Sequence, residues 1–326
     1  MHIGLDLGTS NVRVYVRGKG IVLAEPSVVA IDRNAGRIVA VGAQAQEMLG
    51  RTPSHISAVR PLREGVIADY TATETLVRHV LRRVRGLSLG RLTVTCCVPA
   101  AVTSVERRAV REVVLGAGAG KAFLIEEPLA AALGAGLDID EPEGKMVVDI
   151  GGGTSDVAVV ASGGMVVSEA IRAGGNALDE AIARLVRRKY NLMIGERTAE
   201  ALKIALGSAF PGSEPQRMEI SGRDLVDGLP RGVVISDEEV REAVEEPVLA
   251  LVEAVKRVLE RTPPELSADL LSHGIVLTGG GAQLRGLDQL LARTTGVPVR
   301  LAQDPASCVA IGTGLASRRL AWAPPA

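Results

Sequence analysis

The sequence predicts an α/β protein made of two similar halves. Three observations lead there. Short runs with apolar residues at period two alternate with runs whose apolar residues recur three and four apart, so strands alternate with helices. A strand–turn–strand pattern near the N-terminus recurs after residue 145. The chain has 326 residues, 47% of them hydrophobic, enough apolar material for about two domains.

Taken in order, Ile3 and Leu5 precede a turn at Gly8-Thr9, and Val12, Val14 and Val16 follow at strand spacing. Gly18-Lys19-Gly20 turns the chain again and Ile21-Val22-Leu23 resumes, which predicts a β-meander. Thr71-x-x-Glu74 reads as a capping box for a helix with Leu76, Val77, Val80, Leu81 and Val84 on one face. Thr103-x-x-Glu106 opens a second helix, with Ala109, Val110, Val113 and Val114, that ends at Gly116. Met146 to Asp149 then leads into Gly151-Gly152-Gly153-Thr154, Val157 and Val159 alternate, Gly163-Gly164 turns, and Met165-Val166-Val167 resumes. This repeats the opening meander. Asp6 matches Asp149, Thr9-Ser10 matches Thr154-Ser155, and Val12 and Val14 match Val157 and Val159, leaving the second copy two glycines longer. The pattern predicts an internal duplication, and a single pair of copies is not a solenoid.

Asn176 is expected to cap a helix carrying Ile182, Leu185 and Val186. Ser236-x-x-Glu239 opens a long helix running from Val240 to Leu259, which Pro247 should kink or split and Pro263-Pro264 should stop. His273 to Thr278 reads as a short strand running into Gly279-Gly280-Gly281-Ala282, followed by a helix with Leu284, Leu287, Leu290 and Leu291.

Composition excludes several classes. Lys+Arg 37 against Asp+Glu 38 leaves a net charge of -1, which argues against a broad basic face for nucleic acid. Aromatic residues are 2%, too few for base- or sugar-stacking platforms. No uncharged apolar run reaches the roughly 18–20 residues of a membrane span, and Asp6 interrupts the first apolar stretch, so no signal peptide is expected. Cys96 and Cys97 are adjacent and Cys308 is distant, so no CxxC metal pair forms, and buried free thiols suit a reducing cytoplasm.

The chemistry concentrates at the glycine turns. Without Cβ atoms, backbone N–H groups can approach phosphate oxygens closely. Gly8-Thr9-Ser10-Asn11 adds hydroxyl and amide donors, and Gly151-Gly152-Gly153-Thr154 has room for a second cradle. A plain hairpin explains either turn taken alone; two copies, each with an Asp at the end of the preceding strand, point to phosphate. Asp6 and Asp149 are then the natural Mg²⁺ pair, because Mg²⁺ is held by one or two carboxylates plus substrate phosphates; turn capping is the plainer role for each. A third cluster, Gly279-Gly280-Gly281-Ala282, offers backbone against which a base and ribose can lie. Gly116 to Ala122 only imitates a P-loop, since Ala122 stands where Ser or Thr should meet Mg²⁺ and the stretch closes a helix. No GxGxxG follows a strand, which removes a nicotinamide-binding unit.

Asp6-Leu7-Gly8-Thr9, Asp149-Ile150-Gly151-Gly152-Gly153-Thr154 and Thr278-Gly279-Gly280-Gly281-Ala282 occur in the order seen in actin-fold ATPases. Longer runs narrow the match: Gly20 to Ala30, Met48-Leu49-Gly50-Arg51-Thr52-Pro53, Gly65-Val66-Ile67-Ala68-Asp69, Leu124-Ile125-Glu126-Glu127-Pro128 and Ile194 to Glu200. Over nearly the whole chain the sequence resembles the MreB/Mbl family of bacterial actins, though these motifs do not separate MreB from Mbl. Ser10 and Ser155-Asp156 depart from the family's usual Ala and Thr-Glu.

The resemblance implies an actin-like ATPase fold of duplicated ribonuclease-H-like domains and four subdomains, with ATP and Mg²⁺ in the cleft between halves 1–144 and 145–326. Small subdomains are expected near 32–73 and 176–245, and a final helix near 305–320 should cross back to the first half. Glu127 would face the terminal phosphate beside Thr154 as the catalytic pair, though Glu126 and Glu127 could simply favour the start of the next helix. The segment from Glu196 to Lys203, with Thr198 and Glu200, would face the adenosine, a solvated charged face being the plainer alternative. The resemblance further implies antiparallel double protofilaments, with Val105 at the lateral contact. It implies attachment to the inner face of the cell membrane through the Val84–Arg91 loop and its Leu87 and Leu89, and partners of the MreC, MreD and RodZ type in cell-wall synthesis that maintains rod shape. A non-polymerising ATPase or sugar-kinase-like phosphotransferase of the same fold is the alternative; it would need a carboxylate base in a substrate pocket, for which no motif is evident.

Overall fold

The computed structural model describes residues 1–85, 92–211 and 214–320. Two five-stranded sheets form its frame. In the first, the strands run in the order Lys121–Glu126, Thr93–Val98, His2–Leu7, Asn11–Val16, Gly20–Pro26. In the second the order is Val299–Leu301, Ile275–Thr278, Lys145–Ile150, Ser155–Ala161, Gly164–Ile171. Each sheet is an antiparallel meander extended by two parallel strands on the far side of its first strand. Identical topology in both halves is what a duplication produces.

The ladders also correct the sequence matching. Asp6 lies opposite Arg13 and Leu7 opposite Val12, while Asp149 lies opposite Asp156 and Ile150 opposite Ser155. The two turns are therefore equally long, and the second copy's two additional glycines are replacements, not insertions. Gly8, Thr9, Ser10 and Asn11 correspond to Gly151, Gly152, Gly153 and Thr154.

Apolar alternation packs the sheets as expected. Ile3, Leu5, Val12 and Val14 are buried in the first core with Leu76, Val77, Val80 and Leu81 of the helix Tyr70–Arg85. Met146, Val148, Val157 and Val159 are buried in the second with Val244, Leu251, Val252 and Val255. Helix starts follow their caps. Thr103 and Ser236 each form the reciprocal box with Glu106 and Glu239. Thr71 does not cap its helix: Asp69, two residues earlier, accepts from Ala72 N through Oδ1 at 2.9 Å. Asn176 is not a cap either, because the helix Gly175–Tyr190 is capped by Gly174.

Other expectations also shift. The helix Asp237–Arg261 continues through Pro247 unsplit. His273 ends the helix Pro264–His273, and the strand begins only at Ile275. After Gly279 the chain makes a 3-10 turn, Gly280–Gln283, and the helix waits until Leu287. The first small sheet (Arg37–Val41, Val29–Asp32, Ile56–Val59) begins at Val29, before the expected residue 32. The second is built from Leu192–Met193, Arg217–Asp224 and Pro230–Ser236.

The helix Cys308–Leu320 packs on the helix Glu127–Gly134 and on the strand His2–Leu7. Glycines permit this approach. A Cβ at Gly312 would strike the Ala130 carbonyl, and one at Gly4 would strike Gly314 and Thr313.

Candidate functional site

The ends of the first strands of both sheets meet at a cavity of about 520 Å³, within the range of small-molecule sites. Asp6 and Asp149 each stand one residue before a strand ends, so the two turns reach the cavity from opposite sides. They are closely fitted. A side chain at Gly152 would collide with Ser10, and one at Gly153 would lie 2.6 Å from Thr9 Oγ1 and 3.0 Å from Glu64 Cα. Only glycine lets these backbones come together.

Hydrogen bonds brace the rim. Ser10 Oγ donates to Asn176 Oδ1 at 3.0 Å, linking the halves, and Thr9 Oγ1 accepts from Gly65 N at 3.1 Å. The helix Gly175–Tyr190 is tied to the second turn by Gly175 N and Asn176 N, which donate to the Gly151 and Gly152 carbonyls. Thr278 Oγ1 donates to Asp149 Oδ1 at 2.7 Å. Cys97 Sγ lies 3.7 Å from Asp6 Oδ1; Cys96, Cys97 and Cys308 are all buried free thiols.

Electrostatically the cavity is loaded with acids. Burial pushes the Asp6 carboxyl up to about 7, against the pull of Arg13, and Asp149 up to about 6, against its Thr278 hydrogen bond. Burial also raises Asp156 to about 7. Glu127 lies well above the usual carboxylate range, first through burial and then through repulsion from Asp156, Asp149 and Asp6. Raised carboxylates around one cavity mark a place where a cation would be favoured. Among the described residues no group of three or more His, Cys, Asp or Glu has metal-ligand arrangement. Two carboxylates facing one cavity nevertheless fit Mg²⁺, which takes its other oxygens from phosphates and water.

Most of the predicted site residues come together here. Asp6, Gly8, Thr9, Ser10, Asn11, Glu127, Asp149, Gly151, Gly152, Gly153, Thr154, Glu200, Lys203, Gly279, Gly280 and Gly281 line the cavity. Three do not. Glu196 is exposed and pairs at 3.5 Å with Arg60 of the other half, Thr198 stays off the wall, and Ala282 is buried in the core. Lys203 is engaged by Asp179 at 2.9 Å and by the Gly175 carbonyl at 3.1 Å. Leu87 and Leu89 lie outside the described residues. Val105, second in the helix Ser104–Gly116, is 75% exposed. Sequence reasoning missed Arg13, Gly65, Asn176 and Arg285, which also line the cavity. For Arg13 the signal was available, since it shares strand parity with Asn11 at the end of the first turn.

Comparison with known proteins agrees with this geometry. The family model described as MreB/Mbl protein matches residues 1–323. The chain is 52% identical to the cell shape-determining protein MreB of Escherichia coli over 320 residues, 96% of this chain and 92% of that one. It is 51% identical to the cell shape-determining protein Mbl of Bacillus cereus over 314 residues, 96% and 94% of the two chains. Among solved structures, MreB5 of Spiroplasma citri bound to ADP superposes with a TM-score of 0.93 at 39% identity, covering 98% of this chain and 96% of that one. The MamK double helical filament subunit superposes with a TM-score of 0.82 at 25% identity, covering 99% of each. Fold and cavity thus define an actin-like protein of two duplicated halves. Within that class, the chain belongs to the MreB/Mbl family.

Proposed function

We propose that this chain binds ATP with Mg²⁺ in the cleft and assembles into membrane-associated filaments that organise cell-wall synthesis and rod shape. The observation carrying this reading is the meeting of two glycine turns, each following a buried aspartate, at one cavity of a MreB/Mbl-family chain. Support comes from relatives named cell shape-determining proteins and from structural neighbours solved with ADP or as a filament.

In this reading the turns at Gly8–Asn11 and Gly151–Thr154 cradle the phosphates, and Asp6 and Asp149 would hold Mg²⁺, which supplies charge neutralisation when bound. Glu127, with Thr154 beside it, orients water toward the terminal phosphate. Glu200, Lys203 and Gly279–Gly281 surround the adenosine. Assembly is expected as antiparallel double protofilaments at the inner face of the cell membrane, with membrane proteins of the MreC, MreD and RodZ type as partners and Leu87 and Leu89 as the lipid contact.

Sedimentation tests the reading. With Mg²⁺ and ATP the chain should pellet at high speed, and it should stay in the supernatant without nucleotide or as the Asp149→Ala variant. A chain that binds ATP yet never pellets is a non-polymerising ATPase of this fold.

A further inference from the structure

Resting on the reading of the cavity as a nucleotide site, we propose that Arg13 is a phosphate-binding residue, its guanidinium reaching the phosphate chain beyond the α-phosphate. The duplication brings it into view. At the ladder position opposite the turn aspartate, the first half carries Arg13 and the second half carries Asp156. Directly opposed residues share a face of the sheet, so each copy aims one charged side chain toward its aspartate, with opposite signs. The second copy's acid lies beside Glu127, whose proton affinity it raises. The first copy's cation lines the cavity beside the Gly8–Asn11 turn.

Three cations line this cavity: Arg13, Lys203 and Arg285. Two are committed. Lys203 is held by Asp179 and the Gly175 carbonyl. Arg285 donates to the Gly207 and Ala205 carbonyls and to Gln216 Oε1, each at 3.0 Å. Arg13 has only Asp6 for a partner, at 4.0 Å, beyond hydrogen-bond reach. Among the described residues nothing in the chain accepts from its guanidinium. A planar fork of N–H donors, left unspent at the wall of a cavity, matches phosphate oxygens bidentately. The need for it is plain, since Asp6, Glu127, Asp149 and Glu200 line the same space and would repel a polyphosphate.

The competing role is indirect: Arg13 would only steady the charge on Asp6 and so help hold the metal. Calorimetry separates the two. The full-length wild type, Arg13→Gln and Arg13→Lys are titrated with AMP, ADP, AMPPNP and tripolyphosphate, in Mg²⁺ and in EDTA, with melting curves to show that the variants are folded. Direct contact predicts that Arg13→Gln loses at least about tenfold in affinity for ADP, AMPPNP and tripolyphosphate under both conditions. AMP should be nearly unaffected and Arg13→Lys intermediate. Equal affinity of wild type and Arg13→Gln in EDTA, or an equal loss for AMP and ADP, overturns the contact. If the wild type binds none of these ligands under either condition, the nucleotide reading of the cavity falls and this proposal with it.

Discussion

Asp149 shows how a single residue sets a pH dependence. An unfolded aspartate titrates near 3.9, whereas burial lifts this one to about 6 in the fold. Its protonated form therefore stabilises the ligand-free fold fully below about pH 4, and that contribution is lost as the pH rises through about 6. Asp6 and Asp156, raised to about 7, act in the same sense. The ligand-free chain should accordingly melt lower at pH 8 than at pH 5.5. Asp149→Asn keeps an oxygen for the Thr278 hydroxyl and removes the buried charge, so it should raise stability at pH 8 by up to roughly 3 kcal/mol, from about two pKa units, while losing Mg²⁺-ATP binding. Melting curves across pH with and without Mg²⁺-ADP check both. A variant that melts lower than wild type at pH 8 would show that the charge is already compensated.

At the scale of elements, the helix Glu196–Leu206 does two jobs that the sequence could not separate. Its first turn faces outward, where Glu196 meets Arg60 across the halves at 3.5 Å. Its last turn points Lys203 at the cavity wall and at Asp179, whose carboxyl burial lifts to about 6 even with the ammonium beside it. Lys203→Ala therefore takes from Asp179 the ammonium that pairs with it, at a cost of about 3–5 kcal/mol if the acid stays charged and less if it takes a proton. The variant should melt lower and should weaken ATP binding more than tripolyphosphate binding. Calorimetry with both ligands reads this, and equal losses would remove the adenosine contact. Helix starts teach a related lesson. Thr103 and Ser236 cap as their spacing indicated, whereas Asp69 displaces Thr71, because a carboxylate two residues upstream competes for the same free N–H groups.

Over the whole molecule, the two halves are joined on both sides of the cavity. The helix Cys308–Leu320 lies across the first sheet, while Ser10 to Asn176, Glu64 to Arg172 at 3.0 Å and Arg60 to Glu196 bridge the rim. The exposed ion pairs add little stability on their own; the closer junction is the packing of the helix Cys308–Leu320 on the helix Glu127–Gly134 through Gly312 and Gly134. Assembly would use surfaces outside this cleft. Val105 is exposed on a helix start, and in an antiparallel pair related by a two-fold axis the same patch of each copy would face the other. Val105→Glu would then set like charges near that axis. It should leave nucleotide binding and melting unchanged and abolish paired filaments in electron micrographs. Pairs that persist would take Val105 out of the contact.

Much of this protein was legible locally. Period-two valines, glycine turns and the aspartates that end two strands are properties of a few neighbouring residues, and they sufficed for the strands, the duplication and the glycine turns of the cavity wall, while Glu127, Glu200 and Lys203 came from the family resemblance. The register was not legible. Sliding the second copy by two residues keeps every side chain on its own face, so alternation cannot detect the error. Only the paired ladders set Arg13 opposite Asp6 and Asp156 opposite Asp149. Likewise, residue type marks Glu196, Lys203 and Arg13 alike as charged. Which of them turns outward, which is tied to another helix and which keeps its donors free depends on neighbours brought from far along the chain. The proton affinities of the buried acids depend on the same thing, because desolvation belongs to the packed cavity and not to any stretch of sequence.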